Sequence, residues 1–306
     1  MDLTVAICTR NRRSSLLETL DSLEGQQWTG RWGVLVVDNG SSDGSAQAIL
    51  ERARKFPVPL SVAAEQEPCL SFARNRALRA AQGRVIVFID DDVTCPTGWL
   101  EAHARAFAEP RVLATGGPIK PSMPPDTPTW FSDILSQEVG GPTARYEFGD
   151  ELAEILPNGP IPLPFGANMG VVRELALELG GFRTDLGWGK RMLPCEELEF
   201  LLRVQERPGA ILYVPDAALL HRIESRRTTR AYWSGWQRSY GRSAVLMNPP
   251  QGMAAWAMEL ARGMVDVVRL GRCARSERKR GELMREMDAR REQERGKGRV
   301  LELLRL

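Results

Sequence analysis

The sequence predicts an α/β protein with a mostly parallel central sheet flanked by helices, followed by a helical C-terminal region. In the first 116 residues, apolar runs alternate with segments whose apolar residues recur at helical spacing. The apolar runs are continuous rather than alternating, which is typical of parallel strands buried on both faces. Beyond Ser225 the helical pattern continues almost to the end. With 306 residues, of which 43% are hydrophobic, the chain is long enough to bury a sizeable core.

The first half of the chain contains four predicted strands and three predicted helices. The strands are predicted at residues 3–8, 32–38, 59–65 and 84–90. The helices are predicted at residues 14–25, 45–56 and 71–83. Two of these helical segments end in glycine, at Gly25 and Gly83, which is a common stop signal. This order of elements predicts βαβ units and therefore parallel strand pairing.

The second half is less regular. Residues 117–165 are rich in proline and predict a long irregular region, either a lid over an acceptor or peripheral decoration. A short strand and the start of a helix follow at 166–175, a helix at 195–209, and two short apolar runs at 210–223. We predict a catalytic domain over 1–225, with halves at about 1–116 and 117–225, and a helical region over 226–306.

Polar residues follow three of the predicted strands at the point where each strand ends. "TRN" follows the first strand, "DNGSSD" the second and "DDD" the fourth. Open parallel sheets bind ligands beyond the carboxyl ends of their strands. Three aspartates directly after a buried strand repel one another and are costly to desolvate unless a cation is present. Asp90 and Asp92 are therefore candidate ligands of Mg²⁺ or Mn²⁺, and solvated carboxylates at a strand end are the alternative.

Several motifs occur in an order that resembles the family 2 glycosyltransferases with the GT-A fold. They are "VAICTRN", "VVDNGSSDGS", "ARNRAL", "FIDDD" as a D-x-D motif, "GANMGVVRE" and "CEELEF". Each motif is weak alone, but their order and spacing together are specific to the family. The resemblance covers residues 3–225 and implies transfer of a sugar from a nucleotide-diphospho-sugar to a hydroxyl acceptor. It indicates no particular substrate.

The resemblance implies roles for residues at the strand ends. Asp92 would be the main metal ligand, Asp90 would contact metal or ribose, and Asp91 would support them. The residues expected to bind the nucleotide sugar are Thr9, Arg10, Asn11, Asp38, Arg74, Asp90, Asp91, Arg226 and Arg227. Turn formation is the alternative for Thr9, Asn11 and Asp38, and a surface position is the alternative for the arginines.

The acid pair Glu196-Glu197 implies a catalytic base. Family members commonly carry Glu-Asp here, with the second acid as base, so the Glu-Glu of this chain leaves the assignment between the two residues open. We favour Glu197, with Glu196 second and Asp185 as a more distant candidate. A carboxylate suits the role, because an acceptor hydroxyl must lose its proton as it attacks the anomeric carbon. The alternative is a pair of acids that stabilises a helix N-terminus.

Four further residues have both a site role and a structural alternative. The family often has a metal-ligating histidine after the helix that carries the base, and His221 stands there, although a lone histidine after an apolar run is often structural. Gly166, Asn168 and Trp188 are candidate acceptor-binding residues. Aromatic faces stack on sugar rings, but Trp188 suits a core position equally well.

The C-terminal region carries an apolar stripe and a basic segment. The stripe comprises residues 253, 256, 257, 260, 264, 267 and 268. From Arg269 onward there are thirteen Lys or Arg and seven Asp or Glu residues. Such helices lie on an anionic membrane surface, pack against the rest of the chain, or pair in a homodimer, and the packing alternatives are favoured.

We expect no signal peptide and no spanning helix, and five cysteines without a C-x-x-C pair suit a reducing cytosol. The predicted protein is therefore cytoplasmic or peripheral on the cytoplasmic face of a membrane.

The function that these residues predict is inverting sugar transfer with a nucleotide-diphospho-sugar, UDP-linked by resemblance, and Mn²⁺ or Mg²⁺. The resemblance implies a polysaccharide or lipid-linked glycan acceptor, and no nucleic-acid partner is expected. A phosphohydrolase of the haloacid dehalogenase type also places D-x-D after an apolar strand, but three strands precede the motif here. A nucleotidyltransferase would carry glycines in "CTRNRRSS". A non-catalytic subunit that binds sugar nucleotides is the third alternative.

Overall fold

The structure is a computed structural model that describes residues 2–135, 140–189 and 191–305. The strands are β1 (Leu3–Thr9), β2 (Trp32–Asp38), β3 (Leu60–Ala64), β4 (Val85–Ile89), β5 (Val93–Thr94), β6 (Val112–Gly116), β7 (Ile119–Ser122), β8 (Ala153–Glu154), β9 (Asn168–Val172), β10 (Ala210–Tyr213) and β11 (Leu219–Arg222). The helices are α1 (Arg13–Glu24), α2 (Ser45–Ala53), α3 (Leu70–Ala80), α4 (Trp99–Ala106), α5 (Thr129–Leu135), α6 (Arg173–Glu178), α7 (Glu196–Gln205), α8 (Arg230–Met247), α9 (Gly252–Arg280) and α10 (Leu283–Leu303). Short 3-10 turns cover Gly141–Thr143 and Ser225–Thr228.

The central sheet has eight strands in the order β3-β2-β1-β4-β9-β6-β10-β8. The first four strands pair in parallel, and β9 runs antiparallel between β4 and β6. Strands β2 and β4 are buried along their whole length, as their continuous apolar runs predict. The predicted α/β class with a mostly parallel sheet and C-terminal helices is confirmed.

Helix α1 shows how the local sequence produces the layer that covers the sheet. Its buried residues Leu16, Leu20 and Leu23 recur at intervals of four and three and form one face of the helix. The helix ends at Glu24, and Gly25, the predicted stop, caps it. The apolar face therefore faces the core, and Thr19 is buried with it, where its hydroxyl donates a hydrogen bond to the backbone oxygen of Val93.

A second sheet, absent from the sequence prediction, has the order β5-β11-β7. The prediction of a long irregular region over 117–165 is wrong in part, because β7, α5 and β8 lie within it. Pro121 is in β7, an edge strand, where a missing backbone N–H is tolerated. The sheet is small because β5 has only two residues and directly follows the aspartate triplet.

The chain divides into two compact units. The first comprises residues 1–122, 144–190 and 196–222, and it contains both sheets. The second comprises residues 123–143, 191–195 and 223–306, and it contains α5 and α8 to α10. The simpler predicted division at residue 225 stays a prediction.

Within the second unit, α10 packs on α8 and α9 through small residues. A Cβ atom at Gly298 would lie 1.9 Å from the backbone oxygen of Arg238, so only glycine permits this approach of α10 to α8.

Candidate active site

The central sheet brings the predicted polar residues to one edge. Thr9 ends β1 and lies opposite Asp38, which ends β2. On the other side of β1, Ile7 lies opposite Ile89, the last residue of β4. Asp90 follows Ile89 directly and therefore lies at the same edge of the sheet. The carboxyl ends of three adjacent parallel strands therefore meet there, in the position where such sheets bind ligands.

The three aspartates differ in exposure and contacts. Asp90 is half-exposed, whereas Asp91 and Asp92 are buried. Asp91 accepts a hydrogen bond of 2.6 Å from the Thr9 hydroxyl. Burial raises the pKa of Asp91 to about 7, against the lowering effect of Arg12. Asp91 is thus directed into the protein, while Asp90 remains accessible.

Asp90, Asp92 and His221 form a candidate metal site. One ligand atom from each lies within 4.8 Å of the others. His221 reaches the aspartates because β11 pairs with β5, where it stands opposite Val93. Its Nε2 atom lies 3.3 Å from Asp92 Oδ1. Two carboxylates and one imidazole nitrogen are a donor set that fits Mn²⁺ and also suits Mg²⁺ through the oxygens.

Arg12 is a site residue that the sequence analysis missed. Its Nη2 atom lies 2.8 Å from Asp92 Oδ2, and its Nε atom lies 3.1 Å from Asp91 Oδ1. The guanidinium therefore bridges two buried carboxylates from the residue that precedes α1. Basic residues directly after the first strand, in "TRNRR", were the available signal.

We expect Arg12→Ala to lower the free energy of unfolding by about 3 kcal/mol, because two buried carboxylates lose their guanidinium partner. Arg10→Ala is the matched control, because Arg10 is exposed two positions earlier. Denaturant unfolding of both variants without added metal measures the difference. Equal stability of the two variants would contradict the bridging role.

Arg74 and Glu196 form a buried ion pair beside the aspartates. Arg74 Nη1 lies 2.5 Å from Glu196 Oε1, and Arg74 Nη2 lies 4.0 Å from Asp90 Oδ1. Burial and, to a smaller extent, the charge of Glu197 raise the pKa of Glu196 to about 8, while Arg74 opposes the shift. Glu196 Oε2 is buried and has no hydrogen-bond partner among the residues that the structure describes. Arg74 therefore links the strand end that carries Asp90 to the start of α7.

Gly166 provides the space for that arginine. A Cβ atom at Gly166 would lie 2.1 Å from Arg74 Nη2. Such a contact would force the guanidinium away from Glu196. This geometry favours a positioning role for Gly166, and its predicted acceptor role stays a prediction.

Glu197 is half-buried in the first turn of α7 and is more accessible than Glu196. The second acid of the pair is therefore the one that a bound molecule reaches more easily, and its role as base stays a prediction. Asp185, the more distant candidate, is exposed, and its Oδ2 atom lies 2.7 Å from Arg183 Nη2.

Asn11 joins the loops that follow β1 and β2. Its Oδ1 atom accepts a 2.7 Å hydrogen bond from the backbone N–H of Ser42. Its own backbone N–H donates to Ser41 Oγ, and Asp38 Oδ1 accepts from the backbone N–H of Ser41. These contacts hold both predicted nucleotide-binding loops in a fixed arrangement, with Arg10 exposed beside them.

Asn168 lies in a buried polar cluster beneath the aspartates, opposite Ile89. Its Oδ1 atom accepts hydrogen bonds from Trp99 Nε1 and His103 Nε2, and its Nδ2 atom donates to two backbone oxygens. Thr115 completes the cluster at 2.9 Å from His103 Nδ1. These contacts favour a structural role for Asn168, and the acceptor role stays a prediction without support from them.

The His103 imidazole predicts acid sensitivity. Burial lowers its pKa from 6.5 to about 4, so the folded state holds it neutral. The neutral imidazole therefore contributes about 3 kcal/mol to the free energy of unfolding above pH 6.5. This contribution is lost as the pH falls towards 4. Denaturant unfolding of the wild type and His103→Gln at pH 7 and pH 4 isolates the effect, since glutamine does not titrate. Parallel stability curves would contradict it.

Trp188, Arg226 and Arg227 are the remaining predicted site residues. Trp188 is half-buried, and its backbone oxygen accepts a 2.8 Å hydrogen bond from the N–H of Leu70 at the start of α3. Arg226 and Arg227 belong to the second compact unit, in the 3-10 turn Ser225–Thr228. The Arg226 guanidinium lies 5.8 Å from the ring centroid of Tyr232. Their expected contact with a diphosphate stays a prediction.

The chain belongs to glycosyl transferase family 2, whose family model matches residues 4–180. It is therefore a glycosyltransferase, and the match favours sugar transfer over phosphohydrolysis.

Curated relatives carry names that describe sugar transfer or succinoglycan biosynthesis. The glucosyl-dolichyl phosphate glucuronosyltransferase of Haloferax volcanii is 24% identical over 78% of this chain and 76% of its own length. The succinoglycan biosynthesis protein ExoM of Rhizobium meliloti is 26% identical over 85% of this chain and 81% of its own length. The pre-mycofactocin glycosyltransferase of Mycobacterium tuberculosis is 28% identical over 80% of this chain, which spans only 47% of that protein.

Solved structures show the same GT-A fold. The Pyrobaculum calidifontis mannosyltransferase PcManGT, in complex with GDP-Man and Mn²⁺, superposes with a TM-score of 0.55 at 23% identity. That match covers 80% of this chain and 62% of the mannosyltransferase. Residues 1–349 of TarS from S. aureus superpose with a TM-score of 0.59 at 17% identity, covering 95% of this chain and 90% of that chain. At these identities the likeness concerns the fold alone.

Proposed function

We propose that the protein is an inverting, metal-dependent glycosyltransferase that uses a nucleotide-diphospho-sugar. The observation that carries the proposal is the position of Arg74, which contacts Glu196 and lies within 4.0 Å of Asp90. One arginine thereby brings the candidate metal ligands and the acid pair Glu196-Glu197, which carries the candidate base, into one site. This is the proximity that a direct displacement needs.

Asp92, Asp90 and His221 would hold Mn²⁺ or Mg²⁺, which would stabilise the charge of the departing diphosphate. Thr9, Arg10, Asn11 and Asp38 bind the nucleoside, and Arg74 and Asp91 support the residues that surround the diphosphate. Arg226 and Arg227 are proposed to contact the same diphosphate. We propose UDP as the nucleotide, supported by solved neighbours that contain UDP or UDP-GlcNAc, although PcManGT contains GDP-Man.

Glu197 is the proposed base. It accepts the proton of the acceptor hydroxyl as that oxygen bonds to the anomeric carbon, while the nucleoside diphosphate leaves from the opposite face. Attack from the face opposite the leaving group inverts the configuration. Glu196 is less suited, because it is paired with Arg74 and burial raises the pKa of its carboxyl to about 8.

The proposed acceptor is a glycan or a lipid-linked glycan, as the names of the Haloferax and Rhizobium relatives suggest. We propose that the enzyme works in the cytoplasm against the cytoplasmic face of a membrane, with its C-terminal helices as the contact. All five cysteines are free thiols, which is compatible with a reducing compartment. A homodimer is the competing use of those helices.

A thermal-shift screen of nucleotide sugars with Mn²⁺ and with Mg²⁺ tests the proposal. We expect one nucleotide-diphospho-sugar to raise the melting temperature in the presence of metal and much less in its absence. Transfer assays with the same donor separate an enzyme from a non-catalytic binding subunit. If no nucleotide sugar stabilises the fold, the proposal fails.

A further inference from the structure

Helix α9 exposes an apolar face along its N-terminal half. Met253, Met258, Met264, Val265 and Val268 have exposed fractions of 83%, 66%, 50%, 63% and 54%. They recur at helical spacing, and the exposed alanines among them are Ala254, Ala257 and Ala261. A contiguous exposed face of this kind marks an interaction surface more strongly than scattered single residues do.

The opposite face of α9 is already packed. Gly263 approaches α10 so closely that a Cβ atom would lie 2.8 Å from Val300 Cγ2. Trp256 Nε1 donates a 2.9 Å hydrogen bond to the backbone oxygen of Leu303. The apolar stripe that the sequence shows as one feature is therefore two faces, and only one of them meets α10.

The charges on α9 indicate what the exposed face meets. All of α9 lies within the described residues, and its exposed charged side chains are all basic: Arg262, Arg269, Arg272, Arg275, Arg278, Lys279 and Arg280. Its three acids, Glu259, Asp266 and Glu277, are half-buried or buried, and each lies within 3.4 Å of an arginine. The exposed surface of this helix is therefore apolar in its first half and positive in its second.

We propose that the exposed face of α9 binds an anionic lipid surface. Methionine and valine side chains enter the region between headgroups and acyl chains, and the arginines lie at the level of lipid phosphates. None of the helices in the described part of the chain is long and apolar enough to cross a bilayer, and α9 itself carries ten charged residues. Such a helix lies along the surface. The proposal rests on the proposed function in one respect: the exposed face of α9 is the surface that would meet a lipid-linked acceptor.

Vesicle flotation of the full chain tests the proposal. We expect the protein to float with vesicles of phosphatidylcholine containing about 30 mol% phosphatidylglycerol, and not with phosphatidylcholine alone. Met258→Gln with Val265→Gln should lower the bound fraction about tenfold, and Arg272→Gln with Arg275→Gln about 30-fold. The matched control is Leu50→Gln, which changes a 52% exposed leucine in α2 and should float like the wild type.

Three outcomes would overturn the proposal. They are no flotation on anionic vesicles, equal flotation of the α9 variants and the wild type, and a dimer in vesicle-free solution that the Met258 and Val265 substitutions dissociate. The last would assign the face to a second copy of the chain. Donor stabilisation measured without vesicles is independent of flotation, so failure of the proposed function and failure of the membrane proposal are distinguishable.

Discussion

Glu197→Gln is expected to lower kcat about 10³-fold while leaving the affinity for the donor unchanged. Glutamine keeps the shape of the side chain but cannot accept a proton from the acceptor hydroxyl. In the proposed site the donor is bound by residues at the strand ends, so the thermal shift produced by donor and metal should remain. Parallel transfer and thermal-shift assays measure the two effects.

The matched control is Glu206→Gln, an exposed glutamate directly after α7, which should retain full activity. Glu196→Gln separates the two acids of the pair, because it removes the carboxyl partner of Arg74 and should lower stability as well as rate. Unchanged transfer by Glu197→Gln would reject that residue as the base.

Asp92→Asn is expected to lower metal affinity at least about 100-fold, since even residues that only orient metal ligands contribute 10- to 100-fold. Asp92 is 2% exposed and contacts both His221 and Arg12, so no neighbouring acid can replace it without moving the strand end. Turnover should fall with metal affinity.

Isothermal titration calorimetry with Mn²⁺, carried out in the absence of an acceptor, measures the loss of metal affinity. Asp216→Asn, an exposed acid beside β11, should titrate like the wild type. Wild-type Mn²⁺ affinity in Asp92→Asn would contradict the metal site. Wild-type affinity combined with lost transfer would assign Asp92 to donor contact instead.

Sequence reasoning reached the strand-end residues because parallel strands converge by rule. Asp38 and Asp90 follow apolar runs in a βαβ order, and that order alone places them at one edge of the sheet. The likeness to a family added His221, whose position depends on β5 and β11. Strands of two and four residues give almost no periodic signal, so the second sheet was not predicted.

The missed features depend on side-chain direction rather than on pattern. Arg12 is one of three arginines in "TRNRR", and only the structure shows which guanidinium turns towards the aspartates. Gly166 suggested room for an acceptor, which stays a prediction, and only the structure shows that this glycine also lies against Arg74 from α3. The two faces of α9 were not separable either, because the apolar residues follow helical spacing on both.

The configuration of the transferred sugar tests the proposed chemistry most directly. The ¹H NMR signal of the anomeric proton is followed during turnover of an α-linked nucleotide sugar with Mg²⁺. Direct displacement with Glu197 as base predicts a β-linked product. An α-linked product would contradict the displacement and the role of Glu197 together.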